Sequence, residues 1–220
     1  MYFSISGPKL VVLAGPTGSG KTAVLEALST KGFSVINLEK LAHHRGSVFG
    51  ALGAVQDQPS QPDFEEALLA LYQAQSSSSF IFTEQEAPAI GKRRIPNWFF
   101  EKMQAGFFVY LHVPKAERVR LITEEYGQFD KKDLCAAIDK LSQRLSLERL
   151  EELKALVIND RFPQFAELML DYYDRSYHYS MNGKEGALHL QVEEFDAEKV
   201  ASQLNNEIKS SVFSALCQMH

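Results

Sequence analysis

The stretch Gly15-Pro16-Thr17-Gly18-Ser19-Gly20-Lys21-Thr22 constrains this chain more than any other. It fits the spacing G-x-x-x-x-G-K-[ST], the Walker A or P-loop pattern. The apolar run Leu10-Val11-Val12-Leu13-Ala14 before it reads as a buried parallel strand, and Ala23-Val24-Leu25-Glu26-Ala27-Leu28 after it as a helix. Glycines let successive N–H groups converge at the helix N-terminus, where the dipole also favours an anion. Gly15, Gly18, Ser19, Gly20, Lys21 and Thr22 are therefore the candidate phosphate-binding residues. Lys21 places an ammonium on the terminal phosphate oxygens, and Thr22 helps to hold Mg²⁺. The motif leaves the identity of the phosphate compound open.

Around this motif the chain alternates between strand and helix signals. Phe33 to Leu38, Phe80 to Thr83, Phe107 to Val113 and Ala187 to Val192 read as further strands. The expected class is α/β: a P-loop NTPase-like parallel sheet of kinase-type order 2-3-1-4-5, flanked by helices. Asp63 is the expected cap of a helix through Phe64 and Leu71, and Asp196 that of a closing helix. Between about 115 and 180 the apolar residues recur at helical spacing with no strand between them, which predicts an appended helical subdomain. The expected layout is one domain over 1–210, with that subdomain before the last strand, and a tail over 211–220.

Composition narrows the class. With 220 residues, 45% hydrophobic and 23% charged, the chain suits one soluble domain. No apolar run approaches membrane-spanning length and the N-terminus does not read as a signal peptide, so a cytoplasmic protein is expected. Cys135 and Cys217 stand at no metal-ligand spacing. A net charge of −5 argues against nucleic-acid binding by bulk charge and leaves room for a local basic patch.

Three segments outside the P-loop carry candidate chemistry. The polar stretch from Glu39 to Gly50, leading into Gln58-Pro59-Ser60-Gln61-Pro62, is a long loop of the sort that binds something. Glu84 ends a strand beside the P-loop strand, where this fold class places a magnesium- or water-organising carboxylate, with Glu86 as the second choice. Gly91-Lys92-Arg93-Arg94 is the densest basic cluster and suits a phosphate-backbone contact. Arg118 and Arg120 are placed either to reach the phosphates or to form surface ion pairs.

Taken together, these landmarks resemble the P-loop domain of bacterial tRNA 2-selenouridine synthase. The resemblance rests on Gly15 to Thr22, Leu38-Glu39 with Leu41-Ala42, His44-Arg45-Gly46-Ser47 with Phe49-Gly50, and Gln58-Pro59-Ser60-Gln61 with Phe64-Glu65. Glu84, Glu86, Ile90-Gly91 and Tyr172-Tyr173-Asp174 with Tyr177 complete it. It implies a transferase acting on the wobble 2-thiouridine of tRNA in two stages. Sulfur is first geranylated from geranyl diphosphate, and the geranylthio group is then displaced using selenophosphate. It also implies Lys21, Glu84 and Arg45 as catalytic residues and Thr22 with Glu84 around Mg²⁺. His44, Arg45, Ser47, Gln58, Ser60, Gln61, Glu86, Arg118, Tyr173, Asp174 and Tyr177 are implied substrate contacts. Phe49, Trp98 and Phe99 are candidates for a prenyl pocket.

In the two-domain enzymes of this family a rhodanese domain with a catalytic cysteine precedes the P-loop domain; here the expectation is a separate rhodanese partner. The chain departs from the family pattern at Asn37, Ala87, Ser146 and Arg175. Two alternatives stand beside this reading: an ATP-dependent small-molecule kinase or nucleotide hydrolase, and a non-catalytic nucleotide- or tRNA-binding regulator.

Overall fold

The computed structural model describes residues 7–54, 56–180 and 187–217, with side chains described outside 176–180 and 209–217. Four parallel strands form the sheet: β1 (Lys9–Ala14), β2 (Phe80–Glu84), β5 (Phe107–His112) and β6 (Leu188–Gln191), in the order β2-β1-β5-β6. The central strand β1 is buried from Leu10 to Ala14, as expected of a parallel strand covered on both faces. A two-stranded antiparallel ribbon, β3 (Ala89–Ile90) and β4 (Arg93–Arg94), stands apart from the sheet.

The strand expected over 33–38 is reduced to one bridge, Val35 beside Phe82, on the outer side of β2. Phe82 N–H donates to Ser34 O and Ile36 N–H donates to Phe82 O at 2.9 and 2.8 Å, so the parallel pairing is real but brief. It stops because Asn37 caps the short helix α2 (Leu38–Leu41), its Oδ1 accepting from Lys40 N–H at 2.7 Å. Counting this segment, the order is the kinase-type 2-3-1-4-5.

One face of the sheet packs Val11, Leu13, Val109 and Leu111 against α1 (Lys21–Thr30) and α9 (Ala197–Cys217). The other packs Leu10, Val12, Phe108 and Tyr110 against α3 (Gln61–Ala74) and α4 (Asn97–Gln104). The cap of α3 is Ser60 rather than Asp63: Pro62, with its fixed φ, suits the first helical turn and brings the start forward. Asp63 instead pairs with the Ser60 hydroxyl at 2.5 Å. Asp196 does cap α9, accepting from Glu198 and Lys199 N–H, and that helix continues past 210 to Cys217. No described helix is long and apolar enough to cross a membrane.

Residues 115–180 hold four helices: α5 (Lys115–Tyr126), α6 (Lys131–Asp139), α7 (Leu147–Ile158) and α8 (Phe162–Ser180). Their apolar faces form a core of their own, built on Leu134, Ile138, Leu153, Phe165 and Leu170. Ser146, one of the departures from the family pattern, caps α7 by accepting from Arg149 N–H. The loop residue Phe49 is inserted into this core, 5.1 Å from the Tyr126 ring and 5.9 Å from that of Phe165.

Phe165 is fully buried at this junction. Phe165→Ala is expected to lower stability by about 3–5 kcal/mol in urea unfolding; a loss below about 1 kcal/mol would show that the helical core does not close on Phe49 as described.

Candidate functional site

The P-loop connects the C-terminal end of β1 to α1. Gly18 and Gly20 hold φ of 76° and 73°, a left-handed conformation that costs glycine little. Gly20 also has no room for a side chain, since a Cβ there would lie 2.1 Å from the Phe195 ring. As the N-cap of α1, Gly20 supplies no side-chain acceptor, leaving the first-turn N–H groups available to an anion. Lys21 folds back over the loop, its Nζ donating to Gly15 O at 2.9 Å. Ser19 is buried, and its Oγ has no hydrogen-bond partner among the described residues.

The carboxylate that meets Thr22 is Glu39, not Glu84: Thr22 Oγ1 donates to Glu39 Oε2 at 2.9 Å. Glu84 lies one layer behind. It is 1% exposed, and its Oε1 accepts from Leu38 N–H at 2.6 Å and Glu39 N–H at 3.0 Å. It thereby holds the first turn of α2, and with it Glu39, against the P-loop. Glu86 joins the same group. Burial pushes Glu84 up to about 8, with the charges of Glu39 and Glu86 adding to it. Glu86 rises to about 7, again mainly by burial, with Glu39 adding and Lys21 opposing. Glu39 is raised as well, mainly by burial, while the Thr22 hydrogen bond and Lys21 lower it.

These oxygens fit a hard divalent cation. Thr22 Oγ1 and Glu39 Oε2 are adjacent, and Glu84 Oε2 is buried without a hydrogen-bond partner among the described residues. No group of three His, Cys, Asp or Glu among the described residues makes a cage for a metal. A Mg²⁺ would therefore be completed by ligand oxygens, which is its usual mode of binding.

A cleft of about 1170 Å³ opens above the P-loop. It is lined by Gly15, Gly18, Ser19, Gly20, Lys21, Thr22, Glu84 and Glu86, and also by His44, Arg45, Ser47 and Tyr173 of the implied substrate contacts. Arg45 is ion-paired with Glu125, and its guanidinium sits 5.5 Å from the Phe129 ring centre. His44 Nδ1 is buried without a partner among the described residues, and burial lowers its pKa. Ser47 Oγ accepts from Phe49 N–H at 3.2 Å, which shapes the turn that sends Phe49 inward. Burial pushes the Tyr173 phenol up to about 12.

Other expected contacts lie away from the cleft. Gln58 Nε2 donates to Ala42 O and Ile90 O, both at 3.0 Å, while its Oε1 accepts from Lys92 N–H at 2.8 Å. Gln61 exchanges hydrogen bonds with both backbone groups of Arg94, at 2.8 and 2.9 Å. Ser60 is spent on the α3 cap. The Gln-Pro-Ser-Gln motif thus ties the β3–β4 ribbon to α2 and α3. Arg118 is buried and makes a bidentate pair with Asp174 at 2.8 and 2.9 Å, and it also donates to Thr17 O at 3.3 Å. It braces the P-loop from beneath, while Arg120 makes surface pairs with Glu117 and Glu124. Trp98 and Phe99 pack with Tyr72 in the core between α3 and α4, so of the three prenyl-pocket candidates only Phe49 lines the cleft. The Tyr177 side chain lies outside the described residues.

Glu39, Glu125 and Phe195 were not singled out as site residues by sequence reasoning. Glu39 had a usable signal, an acid just after the expected strand over 33–38 that follows the P-loop helix; Phe195 had none.

The family model for the tRNA 2-selenouridine synthase AAA domain matches residues 8–210. The chain belongs to that family. Among curated members, the tRNA 2-selenouridine synthase of Hydrogenovibrio crunogenus is 33% identical over 208 residues, covering 83% of this chain and 56% of the relative. That of Marinobacter nauticus is 32% identical, covering 80% and 55%. This selenouridine synthase AAA domain thus spans about half the length of the curated relatives it matches. Its fold is also similar to that of the tRNA isopentenylpyrophosphate transferase of Bacillus halodurans, with a TM-score of 0.52 at 13% identity, covering 96% of this chain and 99% of that one. At that identity the likeness is one of fold.

Glu84→Ala removes the acceptor of two backbone N–H groups and is expected to cost about 2–4 kcal/mol in urea unfolding. Glu84→Gln keeps a carbonyl oxygen there and should cost much less. Equal losses for the two variants would contradict the clamp.

Proposed function

We propose that this chain is the diphosphate-binding module of a tRNA-modifying transferase. It would transfer a geranyl group from geranyl diphosphate to the sulfur of wobble 2-thiouridine and support replacement of the geranylthio group by selenium from selenophosphate. The observation that carries this reading is the make-up of the cleft. The P-loop cradle is flanked in it by the apolar residues Phe49, Leu52, Ile122 and Tyr126, supplied by the helical unit and the loop plugged into it, with Ile122 packed directly against Gly18. A diphosphate bearing an apolar chain matches this combination of phosphate cradle and apolar lining. A phosphate cradle alone would serve ATP equally well.

In this reading the sulfur lone pair forms a bond to the allylic carbon, and the C–O bond breaks with its electron pair leaving on the diphosphate. The negative charge grows on oxygens facing the N–H groups of the P-loop and the Lys21 ammonium, so these interactions strengthen as the bond breaks. Thr22 and Glu39 would hold a Mg²⁺, with Glu84 behind them, and the cation would neutralise the leaving diphosphate. The S-alkylated base sheds its ring N–H proton. Glu86, which lines the cleft with a carboxyl near 7, takes it. Arg45, which lines the cleft and is held by Glu125 and Phe129, orients the nucleotide.

The thiol that handles sulfur or selenium comes from a rhodanese protein in this account. Cys135 is half-buried with its thiol pushed up by burial, the reverse of what a persulfide carrier needs.

Calorimetric titration with geranyl diphosphate and with ATP, both in Mg²⁺, tests the reading. Geranyl diphosphate should bind at least tenfold more tightly than ATP, and Lys21→Ala should weaken it at least tenfold. Tight ATP binding with phosphoryl transfer, and no response to geranyl diphosphate, would favour a kinase or nucleotide hydrolase instead.

A further inference from the structure

The β3–β4 ribbon springs from the cleft rim: Ala87 and Pro88 line the cleft, and the next residues turn outward as the ribbon. Its cations, Lys92, Arg93 and Arg94, make no ion pair among the described residues. Elsewhere Arg45, Lys115, Arg118, Arg120 and Lys131 are neutralised by carboxylates, while Lys132, Lys140, Arg144 and Arg161 are, like the ribbon, outside any ion pair of the described residues but stand on the helical unit. Lys40 on the neighbouring rim is likewise exposed and outside any ion pair of the described residues. A chain of net charge −5 thus keeps three consecutive cations without an ion pair among the described residues on a ribbon beside its cleft.

The strip is also rigid. Gln58 bridges Ala42, Ile90 and Lys92 backbone groups, and Gln61 holds both backbone groups of Arg94. Gly91 turns the ribbon at φ 58°, where a Cβ would lie 2.4 Å from Gln58 Oε1. Side chains presented from a fixed backbone lose less freedom on binding. The apolar members Ile90 and Ile95 point into the core, at 0% and 4% exposure, so the ribbon offers charge without the apolar face that a membrane surface selects.

We infer that the β3–β4 ribbon, with Lys40, is the surface on which the phosphodiester backbone of the tRNA lies while its base enters the cleft. This rests on the reading above that tRNA is the substrate. Phosphate contacts fix register without reading sequence, which is what a strip beside the reacting centre must do. It also assigns the Gln-Pro-Ser-Gln motif a role in docking: its glutamines touch no substrate and hold the residues that do.

Fluorescence anisotropy with a tRNA carrying wobble 2-thiouridine, measured over a range of KCl, tests this. Lys92→Glu with Arg94→Glu should weaken tRNA binding at least tenfold and flatten the log–log salt slope by about 1–2. Geranyl diphosphate binding by that variant should stay within twofold of wild type. A charge-matched control on the helical unit, Lys132→Glu with Arg161→Glu, should also bind tRNA within twofold of wild type. Unchanged tRNA binding by the ribbon variant, or an equal loss in the control, overturns the inference and leaves the transferase reading standing. A wild-type chain that binds anionic vesicles but no tRNA removes both.

Discussion

The buried carboxylate of Glu84 is the constraint on which the site depends. It ends β2 beside the P-loop strand and spends one oxygen on the first two N–H groups of α2. Helix α2 has only four residues, too few to hold its place by its own hydrogen bonds. Its position is set by Glu84 at the N–H end and by the Asn37 cap. That position delivers Glu39 to Thr22, and so a carboxylate to the point where a P-loop needs a cation. Burial of Glu39, Glu84 and Glu86 around a single lysine carries an electrostatic cost, visible in their raised pKa values. In the proposed reading, a cation arriving with the diphosphate would offset that cost.

The helical unit is coupled to this centre by two contacts of different chemistry. Phe49 plugs the loop after α2 into the apolar core of α5 and α8, while Arg118 ties Asp174 of α8 to the Thr17 carbonyl of the P-loop. The first is packing and the second a buried, bidentate charge pair, the type that is costly to break by removing one member. Both walls of the cleft are thereby fixed to the phosphate cradle, one through α2 and its loop, the other through α5.

Much of this was legible in the sequence because it depends on local pattern. The P-loop is read from spacing, β1 from an unbroken apolar run, and the helical unit from periodicity. The sheet order followed from the fold class. What escaped depends on how distant segments meet. Nothing local distinguishes an acid that meets the P-loop threonine from one that holds a backbone, so the strand-end Glu84 was the natural choice and the contact of Glu39 with Thr22 was not foreseen. The Gln58 and Gln61 side chains bond to backbone 32 to 34 residues away, a pairing that no periodicity encodes. Asn37 shows the reverse case: a strand propensity over 33–38 loses to a cap that starts a helix.

The central claim is that the cradle serves a prenyl diphosphate and that the chain joins its apolar chain to tRNA sulfur. The most direct measurement is mass spectrometry of nucleosides from 2-thiouridine-containing tRNA after incubation with the protein, geranyl diphosphate and Mg²⁺. The account predicts a nucleoside heavier by one geranyl group in place of one hydrogen, absent when geranyl diphosphate is omitted. Unmodified 2-thiouridine after incubation with active, diphosphate-binding protein, with or without a rhodanese partner, would contradict it.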